Sequence, residues 1–153
     1  MLTLRPFSPS DPSRIRPRAD FAAEHAAAGE PLFGRDRPEG LCWTLTESPA
    51  RWARPLACGG LEPLGHGRWS GWIFAEDLSP RGWAMVHRAF RGLVVEAQAR
   101  RVEIAVRAPN GVDGWETTLR AMRFAERLGL AKEGVMRGWG PDGRDYILFG
   151  GLF

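Results

Sequence analysis

Apolar residues recur at helical spacing from Trp83 through Val86, Phe90, Leu93 and Val94 to Ala97, and stretches of strand character lie on both sides of that run. An amphipathic helix must bury its apolar stripe, and strands before and after it in the chain supply a sheet to cover. Layered α/β architecture follows. At 153 residues the chain has room for one core, so residues 1–153 are expected to form a single domain.

The remaining elements fall around that helix. Residues 2–7 alternate apolar and polar side chains and predict an opening strand, broken by Ser8-Pro9-Ser10-Asp11-Pro12. Asp11 as cap and Pro12 at the first helical position predict a helix start, interrupted at Pro17 and continuing to Gly29. Residues 30–40 read as a loop. Strands are expected at 41–46, 55–61 and 68–74, punctuated by Ser48-Pro49 and Gly65-His66-Gly67 in the manner of an antiparallel meander. Ser79-Pro80-Arg81-Gly82 reads as a turn before the central helix. A short strand over 101–106 is closed by Pro109-Asn110-Gly111. A second helix runs to Leu128 with Trp115, Leu119 and Met122 on its apolar face and Gly129 capping its end. A hairpin finishes the chain, with arms at 132–139 and 144–152 around Gly140-Pro141-Asp142-Gly143.

Composition narrows the function classes. A net charge of +3 invites an acidic partner, but all basic residues except Lys132 are arginines scattered through the chain. That pattern argues against nucleic-acid binding. No apolar run reaches bilayer length and the N-terminus lacks a secretory pattern, so a soluble, cytoplasmic protein with no membrane partner is expected. Cys42 and Cys58 read as reduced, packed thiols, and His25, His66 and His87 lack metal-ligand spacing, so no metal is assigned. The seven tryptophans read chiefly as core or interface.

The order of elements, together with two local patterns, resembles the GCN5-related N-acetyltransferase (GNAT) superfamily. One pattern is Leu4-Arg5-Pro6-Phe7 followed by Asp11. The sharper one is Asn110, then a helix ending Arg123-Phe124-Ala125-Glu126-Arg127-Leu128-Gly129-Leu130, similar to the family's Phe-Tyr-Glu-Lys-Leu-Gly-Phe. Glu133-Gly134 and the hairpin through Asp142-Gly143-Arg144-Asp145-Tyr146 also fit the family's C-terminal end. A finer likeness is to divergent members from phages and phage-derived gene clusters. The resemblance implies a GNAT-like acyl-CoA N-acyltransferase fold, with a central mixed, mostly antiparallel sheet flanked by helices. It implies acetyl-CoA as cosubstrate and an amine as acceptor.

Residue by residue, the family's coenzyme loop, Q/R-x-x-G-x-G/A, falls on Ser79-Pro80-Arg81-Gly82-Trp83-Ala84. Gly82 and Ala84 fill the small positions. Ser79 replaces the basic or amide residue, Pro80 lacks an N–H, Trp83 adds bulk, and Arg81 supplies positive charge for the pyrophosphate. Asn110 is expected to contact the coenzyme. The family tyrosine that protonates the leaving thiolate is matched by Ala125; Tyr146, the only tyrosine, stands elsewhere.

Transfer to an amine requires a base, a polarised thioester carbonyl and fixed geometry. The backbone around Trp72, Ile73 and Phe74 would polarise the carbonyl. Glu76 is the leading base, beside Asp77, with Glu62 and Glu103 as the other candidates. Glu103 also reads as a partner for Arg101. The expected function is acetyl-CoA-dependent N-acetylation of a small-molecule or protein amine. The alternative is a catalytically degenerate GNAT-like module with an interaction or assembly role in a phage-like particle. Residues 147–149 and 152–153 are expected as buried strand; were that hydrophobic end exposed, it would point to a homodimer.

Overall fold

The computed structural model describes residues 1–16, 40–50, 52–109, 115–140 and 142–153. Among these residues seven strands form one sheet: β1 Thr3–Pro6, β2 Leu41–Thr46, β3 Pro55–Gly65, β4 Arg68–Ala75, β5 Arg101–Arg107, β6 Ala131–Met136 and β7 Tyr146–Leu152. Their order across the sheet is β1-β2-β3-β4-β5-β7-β6, and every neighbouring pair is antiparallel except β4–β5. Two helices, α1 Pro80–Glu96 and α2 Trp115–Arg127, make the crossovers on either side of β5. The helix and loop expected over 17–40 fall, apart from Gly40, outside the described residues, as does Asn110.

The meander follows its turn chemistry. His66 and Gly67 both take positive φ, 54° and 75°, so a two-residue turn joins β3 to β4 with the twist that hairpins favour. β3 runs on to Gly65, four residues past the expected end, because the chain bulges between Pro63 and Gly65 instead of stopping.

One face of the sheet carries both helices. Leu45, Ala57, Leu61, Ala75, Val102, Val106, Ile147 and Phe149 pack there with Val86, Phe90, Leu93 and Val94 of α1 and Ala125 of α2. Gly71 permits the closest approach: a Cβ on it would meet the Phe90 ring at 2.8 Å. α2 ends as its sequence requires, with Gly129 at φ 89° and the Leu130 N–H donating to the Ala125 carbonyl.

Several expectations are corrected. The turn read at 79–82 is already helix: Ser79 caps α1 by accepting from the Gly82 N–H at 3.2 Å, with Pro80 in the first turn. Asp11 and Pro12 open a helical turn as expected, but among the described residues it is the 3-10 turn Pro12–Arg14, and the Asp11 side chain makes no cap hydrogen bond to it. Trp115 and Leu119 are exposed, Met122 packs half-buried against the core as expected, and α2 turns Thr118 and Ala125 fully inward. The Thr118 hydroxyl donates to the Arg107 carbonyl, which fixes that choice of face. The last hairpin has shorter arms, because Asp145 accepts the Gly138 N–H at 2.9 Å and draws residues 137–145 into a longer connection. Ile147 and Phe149 are buried as expected, but Leu152 is 80% exposed and Phe153 49%. Trp52, Trp115 and Trp139 are likewise exposed, and only Trp43 among the tryptophans is fully core.

Candidate functional site

β4 and β5 pair only at their beginnings, through Arg68↔Arg101, Trp69↔Val102 and Ser70↔Glu103. β4 continues to Ala75 and β5 to Arg107 with no further pairing between them. A parallel pair that stops partway leaves a wedge-shaped opening lined by main-chain groups.

The hydrogen bonds at the two ends of β4 say which groups line it. The Arg101 N–H donates to the Gly67 carbonyl at 3.2 Å, so Gly67 faces β5. The Glu76 N–H donates to the Leu56 carbonyl at 3.0 Å, so Glu76 faces β3. Main-chain direction repeats every second residue along a strand, which turns Trp69, Gly71, Ile73 and Ala75 toward β5. Of the three positions expected to line the opening, Ile73 aims its N–H into it, while Trp72 and Phe74 direct theirs to β3.

Side chains of β4 alternate in the same way. Ile73 and Ala75 join the helix-side core. Trp72 and Phe74 point to the opposite face, where Phe74 packs with Cys58 and Ile15 and where Phe7 meets Trp72 edge-on at 5.8 Å. Across the opening, Ala105 and Arg107 of β5 share that face with Leu148 and Tyr146 of β7, their partners in register. Burial pushes the Cys58 thiol well above its usual range, and nearby Asp11 adds to this, so Cys58 behaves as an apolar group.

Charged groups around the opening are held in pairs. Glu76, at the end of β4, accepts from both terminal nitrogens of Arg54, at 2.5 and 3.1 Å. That contact raises the Arg54 pKa. Asp77 stands exposed in the connection to α1. Glu103 accepts from Arg101 and Arg68, each at 2.8 Å, and Arg101 also binds Glu133. The hydrogen bond from Arg101, then that from Arg68, hold Glu103 below the usual carboxylate range. The pairing with Arg101 read from sequence is therefore present, and Arg68 joins it. Glu62 lies opposite Ser70, at the paired end of β4. Arg107 binds Asp142.

A buried pair that sequence reasoning missed anchors the first strand. Asp11 is fully buried and accepts from Arg5 at 2.6 and 2.8 Å, from the Thr44 hydroxyl at 2.7 Å and from the Ser8 N–H at 2.8 Å. Burial alone would push its carboxyl up, but these donors outweigh that and hold it below its ordinary value. The signal was the Arg5 and Asp11 spacing; Thr44, thirty-three residues away, settles it.

At the start of α1 the residues matched to the coenzyme loop are divided. Gly82 is buried beneath Leu78, whereas Arg81 and Ala84 are exposed. The Gly82 N–H is engaged by Ser79, and the Trp83 N–H donates to the Ser79 carbonyl at 3.0 Å. The Trp83 ring lies 5.3 Å from Phe124 and bridges α1 to α2. His87 joins the same helices, its Nε2 2.9 Å from the Arg127 carbonyl. Among the described residues no group of His, Cys, Asp and Glu could hold a metal ion, and no helix is long and apolar enough to cross a membrane.

The strand order, the crossover helices and the parting of β4 from β5 define the GNAT acyl-CoA N-acyltransferase fold, and this chain has it. It is similar over its whole length to a protein assigned as a phosphinothricin N-acetyltransferase, covering 100% of this chain and 99% of that one at TM-score 0.68 and 13% identity. It is similar also to the ribosomal-protein-S18-alanine N-acetyltransferase from Escherichia coli, with 98% and 92% covered, TM-score 0.58 and 18% identity. Ard1 from Thermoplasma volcanium matches with 99% and 97% covered, TM-score 0.61 and 17% identity. No protein-family model matches the sequence, and no curated protein matches it.

Proposed function

We propose that the chain is an N-acetyltransferase that moves the acetyl group of acetyl-CoA to an amine. The observation that carries this reading is the parting of β4 from β5 with the Ile73 N–H directed into the opening. A thioester laid there would receive a hydrogen bond at its carbonyl oxygen. That bond strengthens as the amine adds and the oxygen becomes an anion. The amine nitrogen bonds to the carbonyl carbon, the carbon–sulfur bond breaks, and the thiolate leaves with coenzyme A. With Ala125 at the tyrosine position, the thiolate takes its proton from water, which a thiol of ordinary acidity tolerates.

Arg81 meets the pyrophosphate at the N-terminus of α1, with Ser79, Gly82, Trp83 and Ala84 forming the turn beneath it. Asn110 is assigned to the coenzyme by resemblance alone. Glu76 is assigned as proton acceptor, through water, and Arg54 must share it. The acceptors that the structural neighbours' names print, which include ribosomal-protein alanine and spermidine, mark the range open to this fold.

One observation favours the second reading, a non-catalytic assembly module of phage type. Pro80, the Ser79 cap and the Trp83–Phe124 bridge leave little of the α1 N-terminus for a pyrophosphate. The exposed Leu152 and Phe153 would then serve a second copy or another subunit. Incubating the protein with acetyl-CoA and pooled amines, and following coenzyme A release with mass analysis of the products, separates the two. Amine-dependent thiol release supports the enzyme. Its absence across primary amines supports the module.

A further inference from the structure

On the acetyltransferase reading, the chemistry of the acceptor side can be narrowed. Five carboxylates on that face or at the end of β4 are each held by arginine: Asp11 by Arg5, Glu76 by Arg54, Glu103 by Arg68 and Arg101, Glu133 by Arg101 and Asp142 by Arg107. Glu62 lies at the paired end, and Asp77 stands in solvent ahead of α1. The lips of the opening are apolar where Trp72, edged by Phe7, stands on the β4 side and Ala105 and Leu148 across from it, all half-buried; Arg107, further along β5, is held by Asp142.

Two consequences follow. Among the described residues, a second ammonium on the acceptor meets no uncommitted carboxylate at these lips. And the amine must lose its proton with little help, because the carboxylate nearest in sequence to the oxyanion strand already accepts twice from Arg54. A peptide α-amino group, with an ordinary pKa of about 7.7–8.0, is about one-tenth neutral at pH 7. A lysine-type amine at about 10.4 is neutral roughly once in 2,500, a disadvantage of about two-hundred-fold. Apolar lips lower the amine's pKa further by desolvating the ammonium.

We infer that the acceptor is a peptide α-amino group flanked by an apolar or aromatic side chain, seated against Trp72, and that polyamines and lysine side chains are not acceptors. The side chain lies on the Trp72–Phe7 surface and the amine points between the strands at the thioester. That chemistry belongs to a peptide N-terminus; a free amino acid, whose own carboxylate stabilises its ammonium, offers the side chain without the acidity.

The test uses the full chain, acetyl-CoA and four probes at pH 7: L-phenylalanine, a tetrapeptide beginning with phenylalanine, Nα-acetyl-lysine and spermidine. The tetrapeptide is expected to exceed the last two at least tenfold in kcat/KM, with L-phenylalanine below it. Trp72→Ala is expected to raise KM for the phenylalanine probe at least fivefold while leaving KM for acetyl-CoA within twofold. Trp72→Phe is expected to restore most of the difference. A preference for spermidine or Nα-acetyl-lysine overturns the inference and leaves the acetyltransferase reading standing. So does a Trp72→Ala variant that binds acetyl-CoA normally with unchanged amine KM. Failure of the wild-type protein to bind acetyl-CoA overturns both.

Discussion

The lower and upper halves of the β4–β5 pair are built from the same two strands and could hardly differ more. Below, three registered residue pairs are laced by Arg68, Glu103, Arg101 and Glu133 into a closed ladder. Above, the strands part, the charges are held in pairs, and apolar side chains flank a main-chain N–H that β5 does not pair. The closed half fixes where the open half begins. On the proposed reading, the reaction takes place at an interruption of regular structure, held open by the regular part next to it.

The largest expected effect breaks the open half. Replacing Ile73 by its α-hydroxy acid keeps the side chain and removes only the N–H. Loss of one oxyanion donor costs roughly 100–1,000-fold in kcat. Steady-state kinetics should register that drop with acetyl-CoA affinity retained; the same replacement at Trp72, whose N–H faces β3, should lower stability instead.

Gly71 lies where the two halves meet. Gly71→Val drives a side chain into the Phe90 ring and the Ile104 side chain, at 2.8 and 3.0 Å for the first carbon alone. Overpacking of this kind costs about 1–3 kcal/mol, which thermal denaturation would read as a fall in Tm of roughly 3–10 °C.

The closed half is expected to respond to acid. Glu103 has a folded pKa below its unfolded value of about 4.3, so its stabilisation is complete above that value and is lost as pH falls through the folded pKa. Denaturation midpoints measured from pH 6 down to pH 3 should therefore fall less steeply in Glu103→Gln than in the wild type. Smallest is Ser79→Ala, which removes the α1 cap for about 1 kcal/mol. It also frees the Gly82 N–H, and titration should find acetyl-CoA bound no more weakly than by the wild type.

How legible this was depended on the range of the deciding interaction. β2, β4 and β5 came out within a residue of their expected ends, because the turns and periodicity that set them are local. Asp11 did not, because an aspartate before proline suits a cap equally well until Arg5 and Thr44 are brought to it across the sheet. α2 offers two neighbouring stripes, Trp115-Leu119-Met122 and Thr118-Ala121-Ala125, and the greasier one keeps only Met122 against the core: Thr118 reaches the Arg107 carbonyl and Ala125 lets the helix sit close. The opening itself has no composition. Nothing in the residues from Gly71 to Ala75 announces that their neighbour will leave, so the N–H of Ile73 was visible only as one of three candidates.

The account stands most directly on whether coenzyme enters the open half. Calorimetric titration of the wild-type protein with acetyl-CoA, with Arg81→Ala beside it, tests this. Micromolar binding, weakened at least tenfold in the variant, is the predicted result. No heat of binding at millimolar acetyl-CoA would contradict the acetyltransferase and leave the fold as a scaffold for some other task.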